Sequence, residues 1–155
     1  MPGGVVAEPL CCPGAYDEIC QKRSIFYNCY TEPMNFNGLV VGAIAGAVGV
    51  ALGAFGAHGL KTRVSAEMLA IFETGVRYQM YHALALLAVG WAATRWPGGW
   101  LTASGWLFFV GILVFSGSLY VMTFTGARWL GAITPLGGLA FILGWLALAV
   151  GAWKG

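Results

Sequence analysis

The sequence predicts an all-α, polytopic membrane protein whose four transmembrane helices pack through glycine and small-residue seams, and three observations carry that expectation. Gly38, Gly42, Gly46, Gly49, Gly53 and Gly56 fall at steps of 4, 4, 3, 4 and 3, the period of an α-helical turn. Each interior glycine costs a water-exposed helix about 1 kcal/mol relative to alanine. In lipid an unsatisfied backbone costs far more than that, and a bare glycine face lets a second backbone come close. The chain is also 59% hydrophobic and 9% charged, against about 25% charged in an average soluble domain. The third observation is the placement of charge. Glu8, Asp17, Glu18, Lys22, Arg23 and Glu32 precede Met34, and the remaining chain carries only six basic and two acidic residues.

The first expected helix runs from Gly38 to Ala57, long enough at 1.5 Å per residue to cross a hydrocarbon core of about 30 Å. His58-Gly59 is expected to end it, and Lys61-Thr62-Arg63 forms a polar turn. Ser65 then reads as an N-cap with Glu67 in the first turn, where a negative charge suits the helix dipole. Met68, Leu69, Phe72 and Val76 interleave with Glu67, Glu73 and Arg77, so the second helix begins as a short amphipathic interfacial stretch and becomes a span from Val76 to Ala93. Pro97-Gly98-Gly99 breaks the pattern between Trp96 and Trp100, the aromatic pair of a membrane boundary. The third span is expected over 101–123, with Ser104, Gly111 and Ser118 forming a heptad seam. The fourth, over 133–152, repeats the interval at Gly137, Gly144 and Gly151, which favours left-handed packing. Gly42, Gly46, Gly49, Gly53, Gly111, Gly137 and Gly144 are the expected packing positions.

Two regions follow. Residues 34–155 form the four-helix domain, and residues 1–33 read as a disordered leader or as a start assigned too early, with Met34 as the true start. Cys11, Cys12, Cys20 and Cys29 all lie in the first region and lack the paired spacing of a structural zinc site. Lys61, Arg63, Arg77 and Arg128 flank one set of span ends, against Arg95 and Lys154 on the other, so the termini are expected to face away from the cytoplasm. Counting Lys22 and Arg23 levels the balance and leaves orientation open. The expected location is a bacterial inner membrane if the source is bacterial.

Ionisable or polar groups at membrane depth are costly and therefore candidates for function. Those singled out are His58, Glu73, Arg77, Tyr78, His82, Ser118 and Tyr120, with Gln79, Ser116, Thr123 and Thr134 as further polar positions. Glu73 and Arg77 stand one turn apart in the favourable ion-pair order, either a salt bridge that eases the helix into lipid or part of a charge relay. His82 reads as a neutral histidine hydrogen-bonded to a neighbouring helix, or as a proton carrier or ligand. Tyr78, His82 and Ser118 or Tyr120 are expected to form one interhelical polar cluster. No nucleophile motif, phosphate loop or metal-ligand spacing stands out, so no catalytic residue, cofactor or metal is expected. The basic residues are too few for nucleic acid.

Four stretches carry a resemblance: Gly53-Ala54-Phe55-Gly56-Ala57-His58-Gly59-Leu60, Phe72-Glu73-Thr74-Gly75-Val76-Arg77-Tyr78-Gln79-Met80-Tyr81-His82, Phe115-Ser116-Gly117-Ser118-Leu119-Tyr120 and Thr134-Pro135-Leu136-Gly137-Gly138. In this order, over about 37–153, they resemble the YgdD-like family of small membrane proteins, which includes the animal transmembrane protein 256. The resemblance implies a several-helix membrane domain of unknown function and supplies no reaction. The expectation is a non-enzymatic integral membrane protein acting as a structural or accessory partner, with the bilayer, a second copy or other membrane proteins as its contacts. The alternative is a small transporter or permeation element using Glu73, Arg77 and His82.

Overall fold

The computed structural model describes residues 37–155, and within them every regular element is helical. The expectations placed on residues 1–33, including the cysteines and the leader, lie outside the described residues. Helix α1 spans Gly38–Phe55, opened by Asn37, whose side chain accepts from the Val40 amide at 3.3 Å. It does not stop at His58. A π-helical turn, Gly56–Leu60, carries the rod onward, so His58 lies on its last turn and is exposed. The reason is packing: Gly56 faces the Phe72 ring, a Cβ on Gly59 would stand 2.7 Å from the Phe55 ring, and Leu60 is buried.

Helix α2, Ala66–Arg95, begins at Ser65, whose Oγ accepts from the Met68 amide at 3.2 Å. Its 30 residues make about 45 Å of helix, longer than a hydrocarbon core. The third rod is compound. Helix α3, Gly99–Gly111, passes into a π-helical segment, Ile112–Ser116, and then into α4, Gly117–Thr125. Gly126, in the left-handed region at φ 68°, closes α4 as its N–H donates to the Met122 carbonyl at 2.8 Å. A 3-10 turn, Arg128–Ala132, leads into α5, Thr134–Lys154, which has Pro135 in its first turn.

Three of the four rods, Gly38–Leu60, Gly99–Thr125 and Arg128–Lys154, are long and apolar enough to cross a membrane. Helix α2 does not reach that measure, since it carries Glu67, Glu73, Arg77 and Arg95 along with polar groups on its inner face. In space α1 packs against α2, α2 against both α3 and α4, and α3 against α5. The core lies where α2, the third rod and α5 meet, at Ala85, Leu86, Val89, Phe108, Ile112 and Phe141. Large apolar side chains such as Ile44, Leu113, Leu136 and Ile142 point outward, as lipid contact requires.

The two helix pairs use glycine in different proportions for backbone contact and for ring packing. A Cβ on Gly38 would stand 2.7 Å from the Leu86 carbonyl oxygen, and one on Gly90 2.6 Å from the Leu39 nitrogen, so α1 and α2 meet backbone to backbone. Gly42 sits equally tightly, 2.9 Å from the Ala83 carbonyl oxygen by the same measure, and Gly49 faces Met80. Gly46 and Gly53 have ordinary room, with nearest atoms at 4.0 and 3.5 Å. Between the third rod and α5 glycine also makes hollows for aromatic rings, since Gly111 receives Phe141 and Gly144 receives Phe108, while a Cβ on Gly137 would stand 2.5 Å from the Phe115 backbone nitrogen.

Candidate functional site: polar groups within the helical bundle

Phe72, Gly75, Gln79, His82, Leu86 and Val89 are buried on one face of α2, spaced three and four residues apart. Gln79 is the hub. Its Nε2 donates to the Ala45 carbonyl on α1 at 2.9 Å, and its Oε1 accepts from the Tyr120 hydroxyl on α4 at 2.9 Å. One turn earlier, Ser116 Oγ donates to the Gly75 carbonyl at 2.8 Å. Thr123 Oγ1 donates to the Leu119 carbonyl of its own helix at 2.8 Å and lies 3.4 Å from the Met68 carbonyl on α2. Three oxygen-bearing side chains of the third rod thus lie along α2.

The other face of the rod turns to α5. Ser104 Oγ donates to the Gly144 carbonyl at 2.9 Å, and Ser118 shares a 2.9 Å hydrogen bond with Thr134. Gly144 thus both receives the Phe108 ring and supplies the carbonyl that Ser104 reaches. Among the described residues no fully buried side-chain nitrogen or oxygen lacks a partner. That completeness is what a bilayer demands, where no water substitutes for a missing partner.

His82 is set apart. Its Nδ1 lies 2.8 Å from the Tyr78 carbonyl on its own helix. A carbonyl only accepts, so Nδ1 carries the proton and Nε2 is left as an acceptor in the neutral ring. The ring stacks on Phe141 with centroids 3.4 Å apart and planes within 5°, and Phe108 lies 5.5 Å away. Tyr78, one turn back, packs on Phe115 at 4.6 Å. His82 and Tyr78 therefore face α5 and the π-helical segment.

The expected single cluster is corrected by this arrangement. Tyr120 bonds to Gln79, Ser118 to Thr134, and His82 to the backbone of its own helix, so Tyr78, His82, Ser118 and Tyr120 fall into three separate sites. Gln79 is the residue whose weight sequence reasoning missed. Its spacing of four residues from Gly75, three from His82 and seven from Leu86 was the available signal. The expected Glu73–Arg77 bridge is also absent: both side chains are exposed and make no ion pair, since holding two long side chains together in high dielectric gains little. They border a recess of about 320 Å³ with Gly53, Gly56, Phe72 and Val76. An ion pair forms elsewhere, between the exposed Glu67 and Arg128 at 3.7 Å. His58 is exposed on the π-helical turn of the first rod, two residues beyond Gly56. Among the described residues no three His, Cys, Asp or Glu side chains converge as a metal-binding group would.

The family described as "Protein of unknown function (DUF423)" matches residues 52–138, a stretch that holds Gln79, His82, Ser116, Tyr120 and Thr134. The UPF0382 membrane protein YwdK of Bacillus subtilis is 50% identical over 117 residues, covering 75% of this chain and 95% of the relative. The UPF0382 membrane protein SSP2132 of Staphylococcus saprophyticus is 48% identical over 118 residues, covering 75% and 96%. A UPF0382 membrane protein of Haemophilus influenzae is 45% identical over 117 residues, covering 75% and 93%. No solved structure matches the chain.

Proposed function

Since the chain belongs to the DUF423 family and is an integral, multi-pass membrane protein of unknown activity, we propose that it serves as a structural or accessory partner in a membrane assembly, without enzymatic activity. The observation that carries this reading is an unoccupied seam on α1. Ala43, Ala47, Ala51 and Ala54, at steps of 4, 4 and 3, are exposed along one side of a helix that packs within the bundle on α2. Small side chains at this period let a further helix approach closely, and lipid alone gives no reason for them in place of leucine.

The reading includes α2 as a fourth crossing. Gln79 and His82 are turned inward and bonded, while Glu73 and Arg77 are the eighth and twelfth of its 30 residues, near a membrane boundary. Kinship with the YgdD-like family and transmembrane protein 256 belongs to the same reading, supported by the four matching stretches. The transport alternative has one observation in its favour, the recess between α1 and α2 that Glu73 and Arg77 border.

Purification of the full chain in mild detergent tests the proposal. A second copy or another membrane protein should co-purify, and Ala47→Trp with Ala51→Trp should release it while the monomer's helicity stays unchanged. An identical partner profile for wild type and the double variant counts against it.

A further inference from the structure

Between α2, the π-helical segment and α5 lies a groove of about 640 Å³ walled by Tyr78, Phe115, Phe141 and Trp145 and kept open by Gly138. Leu139 and Ile142 at its rim are exposed on the lipid-facing side of α5, and no charged residue lines it. His82 also lines it while only 5% exposed. With Nδ1 committed to the Tyr78 carbonyl, Nε2 holds a lone pair with no hydrogen-bond partner among the described residues. No fully buried side-chain nitrogen is unpartnered, so Nε2 reaches open space, and the groove is the open space its ring borders.

We infer that this groove binds a membrane-soluble molecule bearing a hydroxylated aromatic ring, whose O–H donates to Nε2 of His82. An acceptor at hydrocarbon depth has no water to satisfy it, so its complement is a ligand donor. The planar walls suit a flat ring at stacking distance, and the volume lies within the range of small-molecule sites, about 300–1,000 Å³. A charged headgroup finds no counter-charge there, and an acyl chain leaves the nitrogen unmatched. The site rests on the reading that α2 crosses the membrane.

The test uses the full chain in phospholipid nanodiscs with nitrogen-15 histidine, 1-naphthol as probe and naphthalene as its hydroxyl-free control. The Nε2 resonance of His82 should shift saturably with naphthol and not with naphthalene, while His58 stays unmoved. His82→Phe, which keeps a ring, and Gly138→Leu, whose Cβ would lie 3.9 Å from Phe115 and whose side chain fills the groove, should each weaken naphthol binding tenfold or more. Unsaturable partitioning, the same response to both probes, or wild-type binding by the two variants overturns the inference. The contrast between the probes on the wild-type chain decides even if a variant fails to fold. Rapid water exchange of the His82 Nδ1 proton without any probe would mark the failure of the membrane-crossing reading instead. Co-purification is unaffected by either result, so failure of the accessory role is read separately.

Discussion

Gln79 ties α2 to α1 with one end of its amide and to α4 with the other, and both partners are more than 30 positions away in the chain. Hydrogen bonds within membrane bundles average about 0.6 kcal/mol and reach about 1.7. Tyr120→Phe should therefore lower stability within that range. Gln79→Leu should cost more, because it removes both bonds and strands the Tyr120 hydroxyl, and a double-mutant cycle in reversible SDS unfolding would isolate the shared part. Equal and additive losses would show that the pair contributes nothing. By contrast, Glu67→Ala should change stability by at most about 1 kcal/mol, since both members of its ion pair are exposed, and thermal unfolding would check it. The position of Gln79 on the inner face was legible from its spacing to Gly75 and His82. Its partner was not. Which residue of the third rod reaches Gln79 depends on a change of helical phase at Ile112–Ser116, and no periodicity argument locates a π-turn in a run of apolar residues.

At the scale of elements, helix type and order were readable because lipid leaves the backbone few alternatives and glycine spacing declares the close faces. The spacing did not reveal which glycines are tight. In the α1 stripe, Gly42 faces backbone at 2.9 Å while Gly46 meets only the Ala83 methyl at 4.0 Å, though the two differ by a single turn. Gly42→Ala should therefore separate α1 from α2 and lower the unfolding midpoint. Gly46→Ala should be neutral or slightly stabilising, as it replaces glycine in a helix without a clash. Equal effects would refute backbone contact as the organising feature. The C-cap of α4 gives a second measurement. Gly126→Ala places a Cβ in the left-handed region and should cost about 1–2 kcal/mol, with Gly126→Asn costing less.

Across the whole molecule, α2 and the third rod are central, while α1 and α5 lie outside them on different partners. The third rod shifts its main partner along its length: α3 packs on α5 as well as α2, whereas α4 packs mainly on α2 and reaches α5 through the Ser118–Thr134 hydrogen bond. The π-helical segment between them is where this happens. A π-turn closes its hydrogen bond over one residue more than an α-turn, so it acts as a single-residue insertion and advances the following face by about 100°. The rod is thus two addresses written on one helix. Ser104, Phe108 and Gly111 are delivered to α5, and Ser116 and Tyr120 to α2. Removing Leu113 alone would restore a uniform α-helix, yet it would misdirect every contact downstream. The consequence is that Leu113, exposed toward lipid, can be exchanged for another large hydrophobic residue, while the length of the segment, which sets where Ser116 and Tyr120 point, cannot change by one.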